Sequence, residues 1–417
     1  MNLSPVQQEV LKHAIADDTG LLAGGAVRSG KSYSVLLSFA VWLLNQPASY
    51  DHAIIGQSIE TIMRNMGFDF ITTLNQMGST AELNKQFGTR IIVPTQNGPQ
   101  NVWLIGCGDV SGRRRLQGST LKGLVVEELT LLPQESFFMA WSRLSVEGSK
   151  MWCSYNPEGP SHWAKRMVVD RSNEFGAKVL KFQMRDNPVL SEDVIERYDA
   201  SFTGHFHKRL VEGEWAPAQG AIFPVFHRTN DDVFRGGKWH IALDWAVSGT
   251  LAALAISSKG EESRVLHELY HRGNEEGVLT ELQVCERVTQ WWRETTGHEP
   301  RGHFIWLDPS TPASFKNLLR RKGFNVRSGD NDVIPGIVST ANKLERGQCT
   351  LHNRLVELPS ELAGYTWDAA AADKGEDKPT KFQDHGCDAL RYFVHSTSKV
   401  FRSFMPTSVR GALYATG

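Results

Sequence analysis

The chain has few cysteines, and they follow no pattern. They stand apart and form no C-x-x-C pair, at Cys107, Cys153, Cys285, Cys349 and Cys387. An odd, scattered set is not typical of a disulfide framework or a zinc site, and it favours a reducing compartment. The sequence also lacks the apolar runs of roughly 20 residues that form membrane-spanning helices. Its opening residues, MNLSPVQQEV, lack the basic region and apolar core of a signal peptide. We therefore expect a soluble intracellular protein with no membrane partner.

Net charge is nearly absent as well, because 45 basic residues face 46 acidic ones. A nucleic-acid partner is still compatible with this balance, but its basic surface would then be local. With 417 residues, of which 41% are hydrophobic, the chain is long enough for two or three domains with their own cores.

The most informative segment is a glycine loop near the N-terminus. Residues Gly25 to Ser32, GAVRSGKS, fit the pattern G-x-x-x-x-G-K-[ST] between an apolar run and a helix-competent run. Gly25 and Gly30 allow the backbone to wrap a phosphate with its N–H groups inward, at a helix N-terminus. Lys31 would reach the β- and γ-phosphates, and the Ser32 hydroxyl would bind Mg²⁺. We predict a nucleotide-phosphate site, in which Arg28 points either at the phosphates or toward a neighbouring molecule.

A second short apolar strand ends in two carboxylates, Glu127 and Glu128. At such a strand end one acid can orient the Mg²⁺ shell while its neighbour polarises the attacking water. Position 127 has Glu, whereas phosphate-loop enzymes usually have Asp as the first acid of this strand end. The extra methylene of Glu allows an indirect contact with the metal. Upstream, Arg113 to Arg115 fit a solvated loop, a DNA-phosphate contact or a finger for the γ-phosphoryl group, and the residues alone do not rank these.

Two further residues have both a functional and an ordinary interpretation. Gln7, before the loop, can bind an adenine edge or be a solvated helix residue. Asn156 follows the strand-like segment that starts at Met151 and can sense a γ-phosphate or belong to an ordinary Asn-Pro turn.

The second half of the chain carries acids on separate elements. Asp244 and Asp308 end buried strand-like segments, and Asp384 and Asp388 stand one turn apart at the start of a late helix. Two strand-end carboxylates plus one on a helix suit two divalent metals about 4 Å apart for phosphodiester cleavage. Oxygen ligands favour Mg²⁺ or Mn²⁺ over zinc. Taken singly, Asp308 also fits a turn and Asp384 a helix cap.

These motifs together resemble the large terminase subunit of tailed bacteriophages, the ATPase–nuclease that packages DNA. The resemblance runs from about residue 5 to residue 395. In the first half it implies ATP with Mg²⁺ as cofactor and these site residues: Gln7 on the adenine side, Gly25, Arg28, Gly30, Lys31 and Ser32 in the phosphate loop, Glu127 and Glu128 as strand-end acids with Glu128 catalytic, Asn156 in the coupling motif, and Arg115 as a finger acting in trans.

In the second half the order of acids resembles the ribonuclease-H-like nuclease of that family. The resemblance implies that Asp244, Asp308 and Asp388 bind two Mg²⁺ or Mn²⁺ ions and catalyse cleavage. His385 matches a histidine beside the metals, and Asp384 is a further candidate ligand. Whether Asp384 or His385 assists the metals stays open.

The predicted fold class is α/β with two domains in sequence. Residues 1–207 form a P-loop ATPase domain with a mostly parallel sheet, and residues 238–398 form an RNase H-like nuclease domain with a mixed sheet. The segment 208–237 interrupts the periodic pattern and is interpreted as a linker that couples the domains. Residues 399–417 are expected to be a C-terminal tail.

The resemblance implies a motor that moves double-stranded viral DNA into a procapsid and cuts it. Its partners would be a portal protein, a small terminase subunit and further copies of the chain in a ring. A chain that is monomeric in isolation is compatible with this function. It would work in the host bacterial cytoplasm, bound to the procapsid only transiently and missing from the mature virion. Two alternatives are an ATP-dependent helicase or repair nuclease, and a nucleotide-gated assembly protein without catalysis.

Overall fold

The apolar segments of the sequence form two sheets in the computed structural model, which describes residues 3–48, 50–86, 88–245, 250–381 and 384–398. The described residues divide into two units. One holds the residues up to Pro217 together with Ala370–Glu376, and the other holds those from Ala218 to Ala369 and from Asp377 onward. The predicted tail, 399–417, lies outside the described residues.

The first unit alternates strands with helices. Its described strands are β1 (Gly20–Gly25), β2 (Asp51–Gly56), β3 (Glu82–Asn84), β4 (Arg90–Thr95), β5 (Gly98–Gly106), β6 (Leu121–Val126), β7 (Lys150–Tyr155) and β8 (Ala177–Phe182). Its described α-helices are α1 (Pro5–Lys12), α2 (Lys31–Leu44), α3 (Ile59–Ile62), α4 (Phe68–Gln76), α5 (Val110–Leu116), α6 (Gln134–Trp141), α7 (Glu192–Asp199) and α8 (Gly204–Leu210). A π-helical segment, Met63–Gly67, joins α3 to α4.

The strands of this unit form one sheet in the order β3-β4-β5-β2-β6-β7-β1-β8. All neighbours from β5 to β8 are parallel, and only β3 and β4 add antiparallel pairs among the described strands. The central strands β1 and β7 are buried along their whole length, as expected for strands covered on both faces. The predicted mostly parallel sheet is therefore confirmed.

The second unit combines strands that follow one another directly with strands separated by helices. Its described strands are β9 (His227–Thr229), β10 (Lys238–Trp245), β11 (Leu251–Lys259), β12 (Glu262–His271), β13 (Phe304–Leu307), β14 (Asn325–Ser328) and β15 (Cys349–His352). Its described helices are α9 (Gly273–Glu276), α10 (Glu281–Thr296), α11 (Ala313–Arg321), α12 (Val333–Glu345), α13 (Glu357–Gly364) and α15 (His385–Thr397). The short helix α14 (Ala369–Ala372) begins at Ala369 of the second unit and continues into the part of the chain that belongs to the first.

The sheet of the second unit has the order β14-β13-β10-β11-β12-β15-β9. The central pairs β10–β11 and β11–β12 are antiparallel, and the outer pairs are parallel. This confirms the predicted mixed sheet. Helix α15 packs on β10 and β11, which brings its first turns to the sheet. Among the described helices, none combines the length and apolar character needed to cross a bilayer.

Candidate active sites

The glycine loop connects β1 to α2 and has a backbone that only certain residues can adopt. Gly25 has φ +146°, and a Cβ there would lie 2.0 Å from the carbonyl oxygen of Phe182 on β8. Gly30 has φ +83° and is the residue before α2. Because a side chain would clash with the backbone at Gly25 and be strained by the positive φ at Gly30, both positions favour glycine and allow the loop to turn in front of the helix N-terminus.

A cavity of about 490 Å³ opens beside this loop. Since β1, β6 and β7 are parallel neighbours, the residues that follow them meet at the same edge of the sheet. The cavity is lined by loop residues and by groups from these strand ends and from two further segments: Val27 to Tyr33, Arg64, Asn65, Asp69, Glu127, Glu128, Asn156 and Asn187.

Lys31 is held inside the cavity by two acceptors. Its Nζ donates to Asn156 Oδ1 at 2.6 Å and to the Ala26 carbonyl at 3.1 Å. The residue is 4% exposed. Burial holds the pKa of Lys31 below its ordinary value, although the Glu128 carboxylate acts in the opposite direction. The ammonium group is thus pre-positioned where a phosphate would compete for it.

Glu128 is directed into the same network by an unusual backbone conformation. It has φ +52° and ψ +67°, in the left-handed region that glutamate rarely adopts. Its N–H donates to Ser154 Oγ at 3.4 Å, and its Oε2 accepts from Asn156 Nδ2 at 3.1 Å. Asn156 therefore joins Lys31 to Glu128 with the two ends of one amide.

Glu127 lies beside Glu128 but has a different partner. Its Oε1 accepts a hydrogen bond of 2.6 Å from Asn65 Nδ2 in the π-helical segment, and the residue is 3% exposed. Burial, followed by the charge of Glu128, raises the pKa of Glu127 to about 7. The sequence does not predict Asn65 as a site residue, because it lies 62 residues from Glu127 and belongs to no recognisable motif.

The other predicted residues of the first unit occupy varied positions. Gln7 is buried behind Gly30, and its Oε1 accepts from the Ser4 N–H at 3.0 Å. Arg28 lines the cavity, and its Nε donates to Tyr198 Oη in the same unit at 3.3 Å. Arg115 is exposed, and its Nη1 donates to the Gly106 carbonyl at 3.0 Å. The proposed roles of these three residues stay predictions.

In the second unit, two predicted acids lie at neighbouring strand ends. Strands β10 and β13 are parallel and pair Leu243 with Leu307, so Asp244 and Asp308 come next on each strand. Burial raises the pKa of Asp244, as do Asp388 and Asp308, while a hydrogen bond from His385 opposes the shift. The structure thus brings three of the predicted acids within electrostatic range of one another.

Helix α15 holds the acids from one side. His385 Nδ1 lies 2.7 Å from Asp244 Oδ2, and Tyr392 Oη donates to Asp308 Oδ2 at 2.7 Å. These residues and Asp388 are three to seven positions apart and share one helix face. The buried Arg391 donates to Asp388 Oδ1 through Nε at 3.1 Å and through an Nη at 2.9 Å.

Both ordinary interpretations of the acids can now be compared with the structure. Asp308 does begin a turn, since its Oδ1 accepts from the Ser310 N–H at 2.6 Å, yet its Oδ2 is bound by Tyr392. Burial raises the pKa of Asp308, but these hydrogen bonds outweigh it and leave the pKa below its usual value. Asp384 precedes α15 at the cap position but makes no side-chain cap bond. Burial and Asp388 raise the pKa of Asp384.

The donors of this site are chemically suited to divalent cations. Asp244, Asp308 and Asp388 offer carboxylate oxygens, which Mg²⁺ and Mn²⁺ prefer. The raised pKa of Asp244 reflects burial and mutual repulsion, both of which a cation would offset. Elsewhere in the described part of the unit, the ligand atoms of Asp330, Asp332 and His395 come within 4.8 Å of one another.

The first half of the chain matches a known sequence family. Residues 22–230, half of the chain, match the family model described as terminase large subunit, T4likevirus-type, N-terminal. The chain belongs to the terminase large subunit family. No curated protein matches this terminase chain significantly.

Solved structures extend the terminase likeness over almost the whole chain. The large terminase of a thermophilic bacteriophage is 29% identical with a TM-score of 0.79, covering 95% of this chain and 99% of that one. The same protein in complex with ADP, and in complex with ATP-γ-S, is 28% identical with a TM-score of 0.75 and the same coverage. The predicted family and the α/β fold class are thereby confirmed.

Proposed function

We propose that this terminase chain is an ATP-driven motor that moves double-stranded viral DNA into a procapsid and cuts it with a metal-dependent endonuclease. The observation that carries the proposal is the Lys31–Asn156–Glu128 network inside the loop cavity, because it joins a phosphate-binding cation to a candidate base. Similarity to a large terminase solved with ADP and with ATP-γ-S supports the nucleotide.

In the ATPase site each residue has a defined task. Lys31 would exchange its Asn156 acceptor for the β- and γ-phosphates, and the Ser32 hydroxyl would hold Mg²⁺. When bound, Mg²⁺ would supply charge neutralisation at the phosphates. Glu128, directed by Asn156 and Ser154, orients the attacking water and accepts its proton. We assign the finger that stabilises the transferred phosphoryl group to Arg115 of a neighbouring copy or to Arg28.

In the nuclease site the chain supplies the ligands and fixes them. Asp244, Asp308 and Asp388 would hold two Mg²⁺ or Mn²⁺ ions, and ions bound there would supply an activated water and charge stabilisation at the leaving oxygen. His385 and Tyr392 orient the first two carboxylates through their 2.7 Å contacts. Such outer partners typically fix ligand geometry.

The partners follow from the motor role. We propose that copies of the chain form a ring on the portal protein, that a small terminase subunit delivers the DNA, and that the complex works in the host bacterial cytoplasm. It would leave the procapsid once packaging ends.

Two single substitutions test the two chemistries separately. Plasmid incubated with Mn²⁺ should be nicked or degraded, and Asp244→Asn should abolish this while ATP hydrolysis persists. Asp231→Asn, whose side chain is 67% exposed, is the control. Undiminished cleavage by Asp244→Asn would refute the metal-site assignment.

For the motor, Lys31→Ala should lose at least about 100-fold in ATP hydrolysis, the scale of removing one preorganised charge donor. Cleavage by this variant should be spared. Lys12→Ala, at a 66% exposed side chain, is the control. A packaging assay with portal-bearing procapsids separates the motor from a helicase or repair nuclease, which would hydrolyse ATP and cut DNA but leave the procapsids empty.

A further inference from the structure

We propose that Asn65 is a positioning residue of the ATPase site, which holds Glu127 in the orientation that hydrolysis requires. The proposal rests on the ATPase function proposed above. Asn65 belongs to neither the glycine loop nor the strand-end acids, and it reaches the site from the segment that follows β2.

The Glu127 carboxylate is confined on two sides. On one side, Asn65 Nδ2 donates to Oε1 at 2.6 Å. On the other, Gly56 ends β2 so close by that a Cβ there would lie 2.7 Å from Oε2. With 3% of the residue exposed, the carboxylate has little freedom to choose another orientation. Asn65 is thus the group that determines where the two oxygens point.

Asn65 is presented to the cavity by an uncommon local structure. The segment Met63–Gly67 is π-helical, a conformation that is rare and frequent at functional sites. Its apolar residues Met63 and Met66 are buried in the core of the first unit. The polar residues between and beyond them, Arg64, Asn65 and Asp69, line the cavity instead. The segment is therefore anchored on one side and presents an amide to the site on the other.

The side chain of Glu127 has the length needed to reach the amide of Asn65. Glu127 and Glu128 are adjacent, yet each is bound by a different amide, Asn65 for the first and Asn156 for the second. Of the two, only Glu128 has the left-handed backbone conformation. The longer side chain at position 127 reaches Asn65, and a shorter aspartate would withdraw from it. Asn65 and Glu127 therefore act as a matched pair.

The test is a double-mutant cycle on ATP hydrolysis. Asn65→Ala should lower kcat by about tenfold or more, the scale of one hydrogen bond to a charged group. Its KM for ATP should change less than about twofold, because Asn65 contacts an acid. In a Glu127→Asp background the same Asn65→Ala change should cost little, since the pair is already separated.

The controls keep the outcome decisive. Asn65→Asp retains the shape but removes the donor, and it should reproduce the kcat loss if Asn65→Ala fails to fold. Asn97→Ala, which removes an exposed amide on the turn between β4 and β5, should leave kcat unchanged. An unchanged kcat in Asn65→Ala, or equal losses in both backgrounds, would overturn the proposal. If Lys31→Ala also hydrolyses ATP normally, the proposed ATPase site itself is wrong.

Discussion

Glu127→Gln should stabilise the first unit at alkaline pH and leave its stability nearly unchanged near pH 4. The pKa of Glu127 rises from 4.5 to about 7 on folding because the carboxyl is buried beside Glu128. A group with a raised folded pKa contributes fully to stability below its unfolded pKa and loses that contribution as pH rises through the folded value. Glutamine stays neutral throughout, and its Oε1 can still accept from Asn65.

The magnitude follows from the size of the shift. Each pKa unit corresponds to about 1.4 kcal/mol, so the wild-type chain loses up to roughly 3 kcal/mol between about pH 4.5 and pH 8 through this group. For a unit of this size, that equals a rise of roughly 6–12 °C in the Tm of Glu127→Gln over the wild type at pH 8. At pH 4, below the unfolded pKa, the two Tm values should nearly coincide.

Differential scanning calorimetry between pH 4 and pH 8, in EDTA and without nucleotide, measures this difference. A separate scan with ATP-γ-S identifies the transition of the first unit, because the bound nucleotide should shift that transition to higher temperature. Glu147→Gln, at an exposed position, is the control. A Tm difference that does not grow with pH, or a Glu127→Gln variant less stable than the wild type at pH 8, would refute the reasoning from burial.

One buried indole in the first unit and one tyrosine hydroxyl in the nuclease site lead to two further predictions. Trp152→Ala should destabilise the first unit by about 3–5 kcal/mol in urea unfolding, because the indole is fully buried on β7 and its N–H donates to Ser38 Oγ at 3.0 Å; a loss below about 1 kcal/mol would contradict this. Tyr392→Phe should raise the Mn²⁺ concentration for half-maximal DNA cleavage by about tenfold, since the hydroxyl orients Asp308. An unchanged Mn²⁺ dependence would show that this hydrogen bond does not position the carboxylate.

The parts of the sites that depend on local pattern could be predicted from the sequence. Gly25 and Gly30 are dictated by backbone geometry, and Glu127 and Asp308 follow apolar runs that form strands. Because parallel strands end at one edge of the sheet, strand-end residues far apart in sequence come together once the sheet forms. Both sheets follow from such runs.

The contacts that orient these residues could not be predicted. The hydrogen bond from Asn65 to Glu127 depends on a π-helical segment. A π-helix has an extra residue in a helical turn, and no periodicity in the sequence predicts where it occurs. The contact of Arg28 with Tyr198 depends on how α7 packs, not on the loop itself. The family resemblance implies a position near the metals for His385, but its pairing with Asp244 in particular depends on the rotation of α15 against β10.

The left-handed backbone at Glu128 implies a conflict between durability and turnover in this chain. A non-glycine residue in that region costs on the order of 1 kcal/mol or more, and glycine would relieve the cost. A screen for thermal robustness alone would therefore favour Glu128→Gly, at the position that we assign to the catalytic base. Heat-resistant variants that are recovered without a test of ATP hydrolysis should therefore include inactive ones substituted at this site. A substitution at position 128 would then show that a variant was selected for stability and not for activity.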